Sequence, residues 1–247
     1  MSGLLAAARY LTIVPFPGRG HARMEALGRS AAWFPVVGAG LGVVLAGAER
    51  VASWLFPPLL AALLTVTLWK LLTGGLHLDG LADCLDGMAG RDREHRLAIM
   101  RDSRIGSFGA IGLILVLLLE VVAVAELPPE ARGGALLSAP VLARATPALL
   151  GRLFPPARAD GQGAAFHAGL GRTAPAVALA VALAVVMLAL GWPGVAAAAA
   201  ALGAAAAVAA VLARRLGGVT GDVLGAAIEI AELTVLLTVS AWTYVRS

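Results

Sequence analysis

Three carboxylates stand close together in Gly74-Gly75-Leu76-His77-Leu78-Asp79-Gly80-Leu81-Ala82-Asp83-Cys84-Leu85-Asp86-Gly87, at the end of a strongly apolar run. In a helix, Asp79, Asp83 and Asp86 fall at i, i+4 and i+7 and project from one narrow face. Unneutralised, they would repel one another. The spacing makes most sense around a hard divalent cation that takes oxygen ligands, such as Mg²⁺, and such a cation implies phosphate or diphosphate chemistry. Acids at a helix start also complement the helix dipole. Here, however, they share one face, and the flanking glycines permit close backbone approach by a bulky ligand.

Two other segments carry groups suited to phosphate. Met100-Arg101-Asp102-Ser103-Arg104-Ile105-Gly106-Ser107-Phe108-Gly109 offers two guanidiniums, hydroxyls and a glycine turn just before an apolar stretch. Charge-assisted bonds from Arg101 and Arg104, with free backbone N–H groups at a helix start, suit phosphate oxygens. Gly217-Gly218-Val219-Thr220-Gly221-Asp222 is a glycine-rich loop entering the last apolar stretch, in which Asp222 and Glu229 would share a face with Glu232 close by. A charged carboxylate at the bilayer centre costs about 2.5–3.5 kcal/mol, so the two glutamates should face a polar interior, protonated or paired with Arg144. Glu120 has no evident partner. Gly161-Gln162-Gly163-Ala164-Ala165-Phe166-His167 reads as a surface loop.

The surroundings of these segments are set by composition. The chain is 60% apolar and 14% charged over 247 residues, with a mean hydropathy of +0.87, far outside the range of ordinary globular domains. An all-α, polytopic membrane bundle in a single integral membrane domain, residues 1–247, is expected. Runs long enough to cross, at about 20 residues each, occupy roughly 32–48, 54–76, 108–126, 135–151, 174–191, 194–213 and 225–244. About seven spans result; the first and fourth are short or carry an arginine. Gly3 to Val14 is too short to cross and is followed by Pro15 and Pro17. It reads as an interfacial or re-entrant helix, not a cleaved signal, since no basic region precedes it.

Alternating the spans places Arg9, Arg19, Arg23, Arg29, the arginines of 91–104, Arg152, Arg158, Arg172, Arg214 and Arg215 on one side. Only Arg50, Arg132 and Arg246 fall on the other, with Lys70 and Arg144 in or near spans. The first side is cytoplasmic by the positive-inside rule, which would set the acid cluster on the cytoplasmic face of the membrane. A pI of about 10.2 then reflects a basic face suited to anionic lipid heads or a phosphorylated substrate. Nucleic acid is not indicated, because aromatics are scarce and not interleaved with the basic residues. Cys84 stands alone, so there is no disulfide framework. Gly38-x-Gly40-x-Gly42 and the alanine-rich 195–213 read as helix-packing surfaces.

Gly74 to Asp83, Met100 to Gly106 and Gly217-Gly218-Val219-Thr220-Gly221-Asp222-Val223-Leu224-Gly225-Ala226-Ala227, in that order, resemble the adenosylcobinamide-GDP ribazoletransferase (cobalamin synthase) family, as does Leu11-Thr12-Ile13-Val14-Pro15 more weakly. The resemblance implies a Mg²⁺-dependent membrane transferase. It would join adenosylcobinamide-GDP to α-ribazole or its 5′-phosphate, giving adenosylcobalamin or its 5′-phosphate and GMP. On that reading Asp79, Asp83, Asp86 and Asp222 hold the metal and Arg101 and Arg104 neutralise the diphosphate. Asp102 orients an arginine or reaches the metal, Thr220 bonds a phosphate oxygen, and Arg144 contacts substrate. His77, Asp86 and Asp222 are the candidates for general base. One or two metals, and a homo-oligomer, stay open.

Three rivals share some of these features. Asp83-x-x-Asp86-Gly87 and Gly218-x-x-x-Asp222 are similar to pieces of the CDP-alcohol phosphotransferase motif, but they lie far apart and Ala226 stands where a final Asp is needed. A prenyltransferase normally has two aspartate-rich segments, and one is present. An ion-coupled transporter would use Glu120, Glu229 and Glu232 as a relay near the midplane. The gathering of aspartates and arginines at one face favours the interfacial enzyme.

Overall fold

The structure, a computed structural model, describes residues 3–16, 23–159 and 161–246; Pro17 and Arg19 lie outside the described residues. It is a helical bundle with one isolated bridge, Pro156 to Val219, among the described residues. The helices are α1 (Gly3–Leu11), α2 (Met24–Arg29), α3 (Phe34–Leu55, preceded by a 3-10 turn), α4 (Pro58–Leu72), α5 (Leu76–Gly87), α6 (Arg93–Ile99), α7 (Ser107–Glu126), α8 (Pro129–Leu153), α9 (Gln162–Gly169), α10 (Ala174–Leu190), α11 (Trp192–Leu216) and α12 (Gly221–Tyr244).

The seven expected apolar segments correspond to α3, α4, α7, α8, α10, α11 and α12. Five of these are long and apolar enough to cross a membrane alone, which makes the chain a multi-pass membrane protein. The exceptions are α4 and α10, which reach that length only together with α5 and α9, each joined through an 88° bend. Gly74 and Gly75 make the first bend, with φ of +62° and +67° that side-chain-bearing residues rarely adopt. After this turn α5 runs along one face of the bundle and does not continue across it. The N-terminal apolar run forms α1, whose Ala6, Ala7, Ala8 and Leu11 are buried as it packs on α2 and α3.

α8 and α12 form the interior, with 78% and 72% of their apolar stretches buried, against 33% for α7 and α11. The exposed side of α7 carries Ile111, Ile114, Leu115, Leu118 and Val122, a surface suited to lipid tails. α8 contains Pro140 and Pro147. Proline lacks the N–H that would bond four residues back, and the carbonyl freed by Pro147, that of Ala143, instead accepts from the Thr146 hydroxyl at 2.7 Å.

Charges inside the bundle are matched. The Lys70 ammonium of α4 donates to Glu120 of α7 at 2.9 Å and to Glu229 and Glu232 of α12 at 2.6 and 3.1 Å. Arg144 of α8, wholly buried, pairs with the other oxygen of Glu232 and donates to the Pro140 carbonyl. The expected pairing of a buried glutamate with Arg144 is thus present, and Glu120 acquires its partner. The arginines that shortened the expected fourth span interrupt nothing, because Arg132 is likewise satisfied, by Glu49 at 2.7 Å and the Leu127 carbonyl at 2.7 Å.

Breaking such a network by removing one partner strands buried charge. Lys70→Met should therefore lower stability by about 3–5 kcal/mol, read as a fall in the unfolding temperature of detergent-solubilised protein. Lys70→Met/Glu229→Gln should recover part of that loss. Equal instability of both variants would mean that the ammonium contributes packing and not neutralisation.

Candidate active site

α5 reaches α12 because Gly80 lets the two backbones meet: a Cβ on Gly80 would lie 2.9 Å from both Cα and O of Asp222. This crossing brings Asp79 and Asp83 of α5 beside Asp222, although 139 or more residues separate them in the chain. Thr220 caps α12, accepting from the Val223 amide at 3.2 Å, and its hydroxyl donates to Asp222 Oδ2 at 3.2 Å. Its hydroxyl therefore orients an acid and a helix start at the edge of a cavity where it is expected to bond a phosphate oxygen.

Three cavities meet at these acids. One of about 250 Å³ is lined by Arg101, Arg158, Gln162, Thr220 and Asp222. A second, about 670 Å³, is bordered by Asp79, Asp83, Arg101, Asp102 and Arg104. The third, about 190 Å³, lies under α9 and is lined by Tyr10, Phe34, His77, Asp79, Phe166 and Asp222. Arg101 is shared by the first two, Asp79 by the second and third, and Asp222 by the first and third. A wider cleft of about 720 Å³ adjoins them through Arg101 and Arg158.

The electrostatics point to a missing positive charge. Burial, then the neighbouring carboxylates of Asp79, Asp222 and Asp86, push Asp83 up to about 6. The Arg158 guanidinium offsets part of the charge of Asp222, and the salt bridges of Lys70, Arg104, Arg132 and Arg144 go to other acids. A hard divalent cation fits this all-oxygen donor set. The acids do not form a closed cage: among the described residues only Glu120, Glu229 and Glu232 place three ligand oxygens within 4.8 Å of one another, and Lys70 occupies that trio. An open arrangement suits Mg²⁺, which keeps waters and is held by one or two carboxylates plus substrate phosphates.

Asp86 is different. Its two oxygens accept from the amides of Gly106 at 2.7 Å and Gly109 at 2.9 Å, so it caps the start of α7. Asp86 is expected among the metal ligands and bases; here each of its oxygens already accepts one N–H bond, which leaves one acceptor position on each. The expected substrate contact of Arg144 is corrected, since Arg144 is wholly buried and committed to Glu232 and lines none of the four cavities.

Of the arginine pair, Arg104 is spent locally. Its Nη2 and Nε donate to Asp102 at 2.6 and 3.0 Å, and these bonds with the Arg104 amide hold the Asp102 carboxyl down to about 2. A depressed carboxyl keeps its charge at all higher pH, so this surface pair persists from neutrality down through pH 4 and is lost only toward pH 2. The expectation that Asp102 orients an arginine is met. Arg101, by contrast, borders three of the cavities. His77 is 3% exposed and its Nδ1 has no hydrogen-bond partner.

The arrangement can bind a cation-bridged diphosphate between acids and arginine. A family described as cobalamin-5-phosphate synthase matches residues 3–240. The chain belongs to that family. A relative from Geotalea daltonii, named adenosylcobinamide-GDP ribazoletransferase, is 40% identical over 95% of both chains. Similarly named relatives from Pseudomonas savastanoi pv. phaseolicola and Brevibacillus brevis are 41% and 38% identical, covering 95% and 98% of this chain and 97% and 99% of their own. No solved structure matches. The Asp-rich, Arg-containing and glycine-rich segments of this family member thus form one site.

Sequence reasoning missed two contributors. Lys70 is the sole lysine of the chain and sits in an apolar run, which together with Glu120, left without a partner, was the available signal. The aromatic lining of the third cavity comes from α1, α3 and α9 and has no local signature. Asp86→Ala should cost about 1–2 kcal/mol by uncapping α7, whereas Asp83→Asn, which relieves repulsion, should leave stability equal or higher. Thermal unfolding of the two variants separates a cap from a crowded acid; a fully stable Asp86→Ala would remove the capping role.

Proposed function

We propose that this chain transfers the corrinoid-linked phosphate of adenosylcobinamide-GDP to a hydroxyl of α-ribazole, or of its 5′-phosphate, releasing GMP. The observation that carries the reading is the meeting of Asp79, Asp83 and Asp222 with Arg101 where three cavities join. The new bond forms between the hydroxyl oxygen and phosphorus. The bridging P–O bond breaks, and its electron pair leaves on the GMP phosphate. Such transfers depend on positioning and charge stabilisation more than on covalent help from the protein.

Asp79, Asp83 and Asp222 would hold Mg²⁺. When bound, it supplies positive charge to the diphosphate. Arg101 provides the remaining charge on the cavity side of the leaving nucleotide, and Arg104 with Asp102 shapes the adjoining wall. With Asp86 engaged at α7, His77 and Asp222 are the groups that can receive the hydroxyl proton, because both border the small cavity. The transporter reading lacks a path: Glu120, Glu229 and Glu232 are tied to Lys70 and Arg144 and border none of the cavities described.

Purified protein in lipid nanodiscs, given Mg²⁺, adenosylcobinamide-GDP and α-ribazole, should release GMP and form adenosylcobalamin in equal amounts. Asp79→Asn or Asp83→Asn should abolish this while leaving the protein folded; wild-type turnover in either would end the metal assignment. Arg101→Lys retains charge but loses the planar fork, and should reduce use of adenosylcobinamide-GDP about tenfold, or about 1.4 kcal/mol, with a much smaller change in KM for α-ribazole.

The arginines on the acid face support a cytoplasmic orientation in the membrane of a prokaryotic cell. Cysteines introduced at Arg91 and Arg214 should be shielded from an impermeant reagent in intact cells, and those at Glu130 and Trp192 should react. Labelling of Arg91→Cys and Arg214→Cys from outside would reverse the orientation.

A further inference from the structure

We propose that the small cavity under α9 seats the benzimidazole ring of the acceptor nucleoside, with its ribose turned toward Asp79 and Asp222. The proposal rests on the transfer reading above and adds where one substrate binds. The cavity has an aromatic wall: Tyr10 and Phe34 stack with centroids 6.5 Å apart, and Phe34 and Phe166 lie 6.1 Å apart at 35°. These separations fall in the range of about 4.5–7 Å at which rings attract through offset or tilted contacts. Phe34 and Phe166 are 2% and 4% exposed, so the wall is already assembled and a flat ring entering beside it loses little on ordering.

Size restricts the occupant. About 190 Å³ is well below the ~300–1,000 Å³ typical of pockets that enclose drug-sized ligands, which leaves room for one bicyclic ring and none for a corrin. Chemistry restricts it further. Pro147, Leu224 and Ile228 supply further apolar lining opposite the polar groups of His77, Asp79 and Asp222, so the inner part of the cavity suits a ring with mostly carbon edges. A dimethyl-substituted benzimidazole presents mainly carbon and one ring nitrogen able to accept a hydrogen bond. His77 borders the cavity and is buried with Nδ1 unpartnered, a polar group in want of a ligand.

Position supplies the last argument. Asp79 and Asp222 border this cavity and also the two that adjoin Arg101. A nucleoside whose base fills the cavity therefore carries its ribose toward the place where the diphosphate is held, as attack on phosphorus requires.

The test measures binding and turnover separately. Equilibrium dialysis of α-ribazole against wild-type protein in nanodiscs, and the KM for α-ribazole in the GMP-release assay, are compared with those of Phe166→Leu, which removes a ring, and Ile228→Phe, which fills space. Both variants should weaken α-ribazole by about tenfold or more, seen as Kd or KM, while GMP affinity stays within about twofold and confirms a folded site. An unchanged α-ribazole Kd and KM in both variants, or displacement of α-ribazole by GMP in competition, would overturn the seat. If α-ribazole binds as described yet no GMP forms from adenosylcobinamide-GDP, the transfer reading fails and the seat stands.

Discussion

A single ammonium group holds the interior together. Lys70 enters from α4 and meets carboxylates from α7 and α12, and Glu232 passes the connection on to Arg144 of α8. Four helices are thereby tied where a lipid bilayer offers no water to compensate a misplaced charge. Lys70 lies in the last turn of α4, so the helix that delivers α5 cannot slide or rotate without dragging charge through hydrocarbon.

That restraint explains how residues far apart in the chain become one site. Beyond Lys70 the chain turns at Gly74 and Gly75, and α5 is laid across the start of α12. Asp79 and Asp83 then face the clefts, while Asp86 grips α7 by its first amides. The same helix thus carries chemistry at one end and anchors a neighbour at the other. A short bridge from Pro156 to Val219, with Ala157 N donating to Val219 O at 2.9 Å, holds Arg158 against the glycine-rich loop and closes the arrangement from above.

Much of this was legible in the sequence. The helical class, the apolar segments and the grouping of Asp79, Asp83, Arg101 and Asp222 on one face follow from hydropathy, periodicity and the asymmetry of arginine. The pairing of a buried glutamate with Arg144 follows from the cost of burying charge. Partners separated by long stretches were not legible: Lys70 meets groups 50, 159 and 162 residues away, and nothing local announces them. Asp86 looked like its neighbours because helical spacing records direction alone, and its direction ends at two glycine amides 20 and 23 residues on. The small cavity depends on α1, α3 and α9 meeting, which periodicity cannot reveal.

The inequality of two neighbouring helices sets the depth of the chemistry. α3 has 22 residues and α4 has 15, and they leave a common hairpin at Phe56 and Pro57. At 1.5 Å per residue, α4 stops about 10 Å short of the level α3 attains. The floor formed by α5 therefore lies below the start of α3, with longer helices standing around it. A charge brought to that floor is walled by protein and acts through a medium of lower dielectric than bulk water. A bundle with α4 of full length would lift the same aspartates into water, where each of their attractions would be weaker.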